Sequence, residues 1–164
     1  MKTREELSKI LERAIQNQHL HKSWIKKLKR ADKHELDRHF HLLHQEEFKE
    51  IDCLQCANCC QTTGPRLLNA DINRISRYLR MKPSDFTENY LRIDEDGDYV
   101  FQSMPCPFLE EDNYCRIYEH RPVACREYPH TDRDRMYQIL DLTARNALIC
   151  PAVAIILEKM SKDY

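Results

Sequence analysis

A cluster of cysteines between residues 53 and 60 constrains this chain more than any other feature of its sequence. The stretch reads Cys53-Leu-Gln-Cys56-Ala-Asn-Cys59-Cys60, so four of the eight cysteines lie within eight residues. The others follow singly at Cys106, Cys115, Cys125 and Cys150. A Cys-x-x-Cys spacing lets two thiolates reach one ion from a tight turn. We therefore expect all eight thiols to be metal ligands and the fold to assemble around one or more metal centres.

The spacing leaves the identity of the metal open between zinc and iron. Zinc accepts four thiolates in a tetrahedron. Iron–sulfur proteins use Cys-x-x-Cys-x-x-Cys with a remote Cys-Pro to hold a [4Fe-4S] cluster, and both Cys106-Pro107 and Cys150-Pro151 offer such a remote ligand. Because adjacent side chains diverge, Cys60 serves a second centre, joins a multinuclear one, or is simply buried.

Several residues near the remote cysteines are candidates for stabilising the thiolates. Four thiolates on one zinc ion leave a net charge of roughly −2. Arg121 and Arg126 flank Cys125 and could neutralise this charge by hydrogen bonding. Tyr118 and Tyr128 are close to the cysteines in sequence and are predicted to pack around the ligands, with the lining of a substrate pocket, together with His120 and His130, as the alternative. Cys125 and Cys150 are each expected at the start of a helix, where free N–H groups favour an anionic sulfur.

Composition narrows the class of protein. With 164 residues the chain fits one domain with an appendage, and a formal net charge of −1 gives no overall attraction to nucleic acid. The charged N-terminus leads into no apolar signal segment, and the apolar run from 147 to 157 is shorter than the roughly 20 residues of a membrane span. We therefore expect a cytoplasmic protein, whose reducing compartment disfavours disulfides.

The periodicity predicts a mainly α fold with a small β-hairpin. Residues 1–50 are expected to form an N-terminal helical extension, a hairpin or arm with a break near Asn17–His21. Residues 51–164 are expected to form the cysteine-cluster domain, an irregular metal-binding core packed by helices. Pro83 should begin a helix, and a hairpin should turn at Asp96-Gly97 before a strand at 99–101. A long helical pattern begins near Asp134.

Two groups of residues in the N-terminal extension have both functional and structural interpretations. A basic run could bind an anionic surface or a protein partner, although it is better read as a solvated helix face; it comprises Lys22, Lys26, Lys27, Lys29, Arg30 and Lys33. Four histidines are expected at the surface, with completion of a metal site as the alternative; they are His34, His39, His41 and His44.

Three segments together resemble a known family. They are Cys53-x-x-Cys56-x-x-Cys59-Cys60, Pro105-Cys106-Pro107-Phe108-Leu109, and the run from Cys115-Arg116-Ile117-Tyr118-Glu119 through Arg121-Pro122 to Cys125-Arg126-x-Tyr128-Pro129. This combination is similar to the YkgJ-type cysteine-cluster family, also described as the CxxCxxCC zinc- or iron-chelating domain, over about residues 50–151. The resemblance implies a bacterial, cytosolic, metal-binding domain with the cysteines as ligands.

The sequence leads to two principal hypotheses for function. The first is a structural or accessory metal-handling module without its own catalysis. The alternative is an iron–sulfur redox or methyl-transfer enzyme, since the resemblance extends to the flagellin lysine N-methylases, which are associated with an iron–sulfur centre and S-adenosylmethionine. Those enzymes carry extra sequence beyond the cluster, which favours the module. A nucleic-acid binder is disfavoured by the near-neutral charge and by the absence of a finger-type Cys/His spacing.

Overall fold

The structure is a computed structural model that describes every residue from Met1 to Tyr164. It confirms the predicted mainly α fold class. The ten helices are α1 (Arg4–Gln16), α2 (Gln18–Leu28), α3 (Lys33–Glu50), α4 (Cys53–Cys56), α5 (Asn58–Thr62), α6 (Asn69–Tyr78), α7 (Pro83–Tyr90), α8 (Val123–Glu127), α9 (Leu140–Asn146) and α10 (Pro151–Asp163). The three strands are β1 (Arg66–Leu67), β2 (Leu91–Ile93) and β3 (Tyr99–Phe101). None of the helices combines the length and apolarity that crossing a bilayer requires.

The chain divides into two compact units. The first, here called the helical unit, consists of Met1–Cys56 together with Pro129–Tyr164. The second, here called the hairpin unit, is the continuous segment Ala57–Tyr128. The bounds of these compact units differ from those of the two domains expected from the sequence, residues 1–50 and 51–164. The division into those two domains stays a prediction. Each unit has its own apolar core.

Polar side chains fix the helix starts of the helical unit. Thr3 and Glu6 form a capping box at the start of α1. The Thr3 hydroxyl accepts from the N–H of Glu6, and the Glu6 carboxylate accepts from the N–H of Thr3. The Asp32 carboxylate caps α3 by accepting from the N–H groups of His34 and Glu35, both at 3.0 Å. The predicted break falls at Asn17, between α1 and α2.

The core of the helical unit forms where α10 packs against α1, α2, α3 and α9. Its fully buried side chains include Leu28, Leu36, Phe40, Ile156 and Leu157. At roughly 1.5–3 kcal/mol for each large apolar side chain, this burial is the main source of stability in the unit. The apolar stripe that predicted the N-terminal helices is therefore the stripe that faces α10.

The long helix predicted from Asp134 is wrong in its first part. Arg135 has φ 61° and ψ 45°, a left-handed conformation that interrupts a helix. A 3₁₀ turn follows at Met136–Gln138, and α9 begins only at Leu140. The Asp37 carboxylate of α3 accepts from the N–H groups of Arg135 and Met136 at 2.7 and 2.8 Å, so a tertiary contact replaces the helical hydrogen bonds.

The hairpin unit contains an antiparallel sheet with strand order β1-β3-β2. The predicted hairpin is β2 and β3, and the predicted start of a helix at Pro83 is α7. Strand β1 was not predicted; its two residues pair with Val100 and Tyr99 of β3. Buried Phe86, Phe101 and Phe108 form an aromatic core beneath the sheet, with Phe86 and Phe108 ring centroids 6.3 Å apart. This core carries Cys106 and Cys115 at its edge.

Candidate metal centre

Four thiols of the hairpin unit come from three separate parts of its chain and converge. They are Cys60, Cys106, Cys115 and Cys125, here called the thiol quartet. The N–H of Cys106 donates to the carbonyl of Cys60 at 2.8 Å. A β-bridge between Leu109 and Cys115 closes the loop that begins at Cys106. The charges of the other three quartet thiols all act on Cys125, which places the four side chains in one neighbourhood.

Backbone N–H groups point at two of the quartet sulfurs. The Cys106 sulfur accepts from Phe108 and Leu109, the residues two and three positions further along. The Cys115 sulfur accepts from Ile117, again two positions along. Such bonds favour the thiolate, which is the metal-binding form of cysteine. Burial nevertheless outweighs these bonds and raises the pKa of Cys106 to about 11.

Cys125 is the third residue of the five-residue helix α8, which begins directly after Pro122. Burial first, and then the neighbouring quartet thiols, raise the pKa of Cys125 to about 12. The Arg121 guanidinium acts in the opposite direction on Cys125 and on Cys115, although burial also raises the pKa of Cys115 overall. Arg121 is held in place by a 2.6 Å hydrogen bond to the Tyr118 carbonyl and lies 3.8 Å from the Tyr118 ring centroid. A positive charge is thus already directed at two thiols of the quartet.

Cys59 and Cys60 are adjacent half-buried residues in α5. Their sulfurs are 3.9 Å apart, and a hydrogen bond from Cys59 lowers the pKa of Cys60. The two side chains therefore do not diverge as fully as the sequence argument assumed. Cys60 belongs with the quartet through its carbonyl bond to Cys106.

The helical unit holds the remaining three thiols, Cys53, Cys56 and Cys150, here called the thiol trio. Cys53 and Cys56 are the first and last residues of the single turn α4. Cys56 and Cys150 both pack against a small core of Leu7, Ile51 and Ala152. The charges of Cys53 and Cys56 act on Cys150, whose pKa burial raises to about 12. The structure therefore brings the three thiols of this unit into one neighbourhood as well.

The thiols lie near one another without being closed around an ion. No three His, Cys, Asp or Glu side chains stand as a group that could hold a metal ion in their present rotamers. The donor chemistry nevertheless fits zinc or iron, because soft thiolates with N–H groups directed at sulfur are typical of such centres. Cysteine side chains reach an ion by rotation about χ1, a small change compared with any movement of the backbone.

A buried ion pair that the sequence did not reveal sits beside Cys125. Asp71 is completely buried and accepts hydrogen bonds from the N–H groups of Leu68 and Val123 and from Arg74. Arg74 also donates to the carbonyls of His120 and Arg121, at 3.3 and 2.9 Å. The pair therefore fixes the turn that leads into α8. The only sequence signal was the position of Asp71 in the first turn of α6, which indicates a helix start and not a long-range contact.

Other predicted site residues have ordinary local contacts. Arg126 is exposed, and its Nε donates to the Arg121 carbonyl at 3.2 Å. Tyr118 is 43 % exposed and Tyr128 is half-buried. The histidines lie in the helical unit: His39 is 3.2 Å from Asp163, His41 contacts the Arg133 carbonyl, His44 contacts the Thr131 hydroxyl, and His34 is exposed.

The basic run lies mainly on the exposed face of α2. Lys22, Lys26, Lys27 and Arg30 are exposed, whereas His21, Ile25 and Leu28 are buried. Lys29 pairs with Asp141 at 2.8 Å, and Lys33 lies 4.5 Å from the centroid of the Tyr137 ring. The apolar side of this helix is therefore used within the protein core.

Comparison with known proteins places these cysteines in a described family. The model "CxxCxxCC: Putative zinc- or iron-chelating domain" matches residues 52–150, which is more than half of the chain. An uncharacterized protein of Methanocaldococcus jannaschii is 28 % identical over 82 residues, covering 48 % of this chain and 44 % of its own length. The chain thus spans less than half of that relative. No solved structure matches. On the extent of the family match, the chain belongs to the CxxCxxCC family of zinc- or iron-chelating domains.

Proposed function

We propose that this chain is a structural or accessory metal-handling module that chelates zinc or iron through its clustered cysteine thiolates. Family membership supports metal binding in general. The observation that carries the proposal is the convergence of the thiol quartet in the hairpin unit, with backbone N–H groups directed at the sulfurs of Cys106 and Cys115. Four thiolates complete the tetrahedral shell of a structural zinc or a mononuclear iron.

A cation would resolve an electrostatic conflict at the quartet. Four neighbouring thiolates repel one another, and burial disfavours each charge. Burial favours the neutral thiol at two of the four positions, where it raises the pKa of Cys106 to about 11 and the pKa of Cys125 to about 12. Metal binding would therefore release protons and contribute directly to the folding free energy of this unit.

The other predicted roles remain parts of the same proposal. Cys53, Cys56, Cys59 and Cys150 are also proposed as metal ligands. Arg121 and Arg126 would offset thiolate charge, and Tyr118 and Tyr128 would pack beside the ligands. A cytoplasmic location, a bacterial origin and a protein partner on the N-terminal helices are expected with this role, whereas a nucleic-acid partner is not.

The second candidate is an iron–sulfur redox or methyl-transfer enzyme. The Cys53-x-x-Cys56-x-x-Cys59 spacing favours it, because this spacing holds three corners of a [4Fe-4S] cluster in ferredoxins. The two candidates make different predictions for bound iron and sulfide.

The deciding measurement is the metal and sulfide content of protein purified without oxygen. A colourless protein with bound zinc supports the module. A brown protein that absorbs at about 400 nm, with iron and sulfide in matched amounts, would make the iron–sulfur enzyme the leading function. A protein without zinc, iron or sulfide, and without affinity for added metal, would overturn both.

Substitution at the quartet tests which residues hold the metal. Cys125→Ser should lose the ion of the hairpin unit and lower its thermal stability, because metal binding and folding are coupled. Ala124→Ser is a matched control that places the same hydroxyl one residue earlier in α8. Equal metal content and equal melting temperatures in wild type, Cys125→Ser and Ala124→Ser would contradict the assignment of Cys125.

A further inference from the structure

Four aromatic side chains lie together on the surface of the hairpin unit. Tyr114 and Tyr118 are 47 % and 43 % exposed, and their ring centroids are 6.2 Å apart in a stacked arrangement. Tyr78 is 47 % exposed and stacks on the His120 ring at 4.2 Å, and its hydroxyl donates to the Arg116 carbonyl at 3.4 Å. Single exposed apolar side chains are ordinary, whereas a group of them is typical of a contact surface. These four residues, Tyr78, Tyr114, Tyr118 and His120, are here called the aromatic patch.

The backbone that carries the aromatic patch is held by hydrogen bonds. Tyr118 and His120 belong to one 3₁₀ turn, in which the N–H of His120 donates to the Ile117 carbonyl at 2.8 Å. The N–H of Tyr118 donates to the Cys115 carbonyl at 3.0 Å, and Arg74 donates to the His120 carbonyl at 3.3 Å. A surface whose groups are already fixed loses little conformational entropy on association. The aromatic patch is therefore preorganised for a partner.

An acidic turn borders the aromatic patch at Tyr114. Residues 110–112 read Glu-Glu-Asp, and all of them are exposed. The N–H of Glu110 donates to the Tyr114 carbonyl at 2.8 Å, and the Asp112 carboxylate accepts from the N–H of Tyr114 at 2.9 Å. Glu110 lies 3.9 Å from Arg116, whereas Glu111 and Asp112 form no ion pair. Negative charge is thus left available next to Tyr114.

A pair of arginines borders the aromatic patch at Tyr118. The Arg121 guanidinium lies 3.8 Å from the centroid of the Tyr118 ring. The Nε of Arg126 donates to the Arg121 carbonyl at 3.2 Å. Neither arginine forms an ion pair, although Glu119 and Glu127 are close in sequence. The surface therefore runs from a negative end, through the aromatic patch, to a positive end.

We propose that two copies of this chain pair through the aromatic patch in a two-fold symmetric homodimer. A two-fold axis through the patch sets each surface against its own copy in the opposite direction, so the acidic turn of one chain faces the arginines of the other. Because the surface carries both signs of charge, it matches a copy of itself better than a partner of one sign. Aromatic residues at the centre and charged residues at the rim are the usual anatomy of an interface. The inference goes beyond the proposed metal-handling function and requires no bound ion.

Sedimentation velocity of the full chain, at concentrations from about 10 to about 500 µM, tests the inference. One aromatic patch per copy is a small interface, so the wild type should shift from monomer to dimer across this range. Tyr114→Ala should raise the Kd of the dimer about 10-fold or more, because a truncated aromatic anchor loses its contacts in both halves of the interface. Tyr164→Ala removes an exposed tyrosine of the helical unit and should leave the Kd unchanged. A wild type that is monomeric throughout would overturn the inference.

Charge reversal tests the two-fold arrangement separately from folding. Glu111→Lys opposes like charges to Arg126 in both halves of the dimer, and Arg126→Glu does the same to Glu111, so each variant alone should be largely monomeric. An equimolar mixture of the two variants should recover the dimer, since both contacts then join opposite charges. Mixing alters neither chain, so recovery cannot arise from a change in folding or metal content. A mixture that stays monomeric would refute the arrangement.

Other occupants of this surface give different results. Growth beyond the dimer with increasing concentration would indicate open head-to-tail association and overturn the two-fold arrangement. A monomeric wild type that binds a poly-glutamate peptide or a single-stranded oligonucleotide, with the binding lost in Tyr114→Ala, would assign the surface to another class of partner and overturn the dimer. Zinc and iron contents measured in the same samples test the proposed function on their own, because a metal-loaded monomer contradicts only the dimer.

Discussion

Replacing Asp71 tests how far one buried ion pair organises the turn that carries Cys125. The Asp71 carboxylate is fully buried and accepts from Leu68 at 3.0 Å, from Val123 at 3.1 Å and from Arg74. Removing one partner of a buried pair costs about 3–5 kcal/mol. The side chain of Arg74 is 28 % exposed and keeps two carbonyl acceptors, so water and these carbonyls reduce the loss.

We therefore expect Asp71→Ala to lower the free energy of unfolding by about 3 kcal/mol and Asp71→Asn by about 2 kcal/mol, since the amide keeps one acceptor. For a chain of this size, about 2–4 °C per kcal/mol predicts a fall in Tm of roughly 6–12 °C for Asp71→Ala. Urea unfolding followed by circular dichroism, at fixed metal content, measures the change.

Asp71 should also affect metal affinity, because it positions the start of α8 through Val123. Loss of groups that orient metal ligands typically costs about 10–100-fold in affinity. The matched control is Glu88→Gln, which removes an exposed carboxylate in the same unit and should change stability by less than about 0.5 kcal/mol. If Asp71→Asn and Glu88→Gln have the same stability and zinc affinity, the reasoning from the buried pair is refuted.

Three further substitutions test other parts of the fold. Gly97→Ala should cost about 1 kcal/mol in thermal unfolding, because Gly97 has φ +83° and an added Cβ meets open space, which leaves backbone strain as the cost. Asp37→Ala should cost about 1–2 kcal/mol in urea unfolding through the lost bonds to Arg135 and Met136. Burial lowers the pKa of His21, so as pH falls the unfolded chain takes up a proton at this histidine at a higher pH than the folded protein does. The free energy of unfolding should therefore decrease as pH drops below about 6.5. His21→Asn should reduce this decrease between about pH 8 and about pH 5.5.

Each of these substitutions has a control within the chain. Gly64→Ala adds a Cβ that meets only the Met104 sulfur, at 3.8 Å, so it should not be destabilising; equal losses at Gly64 and Gly97 would contradict the strain argument. Gln45→Ala removes an exposed side chain of α3, and Asp37→Ala must cost clearly more. His34→Asn replaces an exposed histidine; a pH dependence that responds equally to His34→Asn and His21→Asn would argue against burial as its cause.

The sequence allowed those elements to be predicted whose causes are local. Pro83 begins α7 because its fixed φ suits the first helical position, and the hairpin turns at Gly97 because a left-handed residue is needed there. Apolar residues recur at helical spacing in residues 3–50, and this periodicity predicted helices correctly because one face of each helix is buried. Strand β1 could not be predicted, since two residues carry no periodicity and pair only with a strand far along the chain.

The grouping of the cysteines was also beyond sequence reasoning. Cys53-x-x-Cys56-x-x-Cys59 looks like one continuous chelating loop, yet Ala57 has φ 46°, which ends α4 and starts the separate helix α5. The thiols before and after this residue belong to different compact units. Whether Cys59 joins Cys53 and Cys56 on one metal stays a prediction. The backbone hydrogen bond between Cys106 and Cys60 joins residues that are far apart in the sequence, so no local pattern indicates it.

The discontinuity of the helical unit has a consequence for biosynthesis. All of the hairpin unit, Ala57–Tyr128, leaves the ribosome before Pro129–Tyr164, which the helical unit needs to fill its core with α9 and α10. The four cysteines of the quartet are thus present on the nascent chain while Cys150 has still to be translated. The contacts that hold Cys150 at the start of α10 can therefore form only after the whole hairpin unit has been translated.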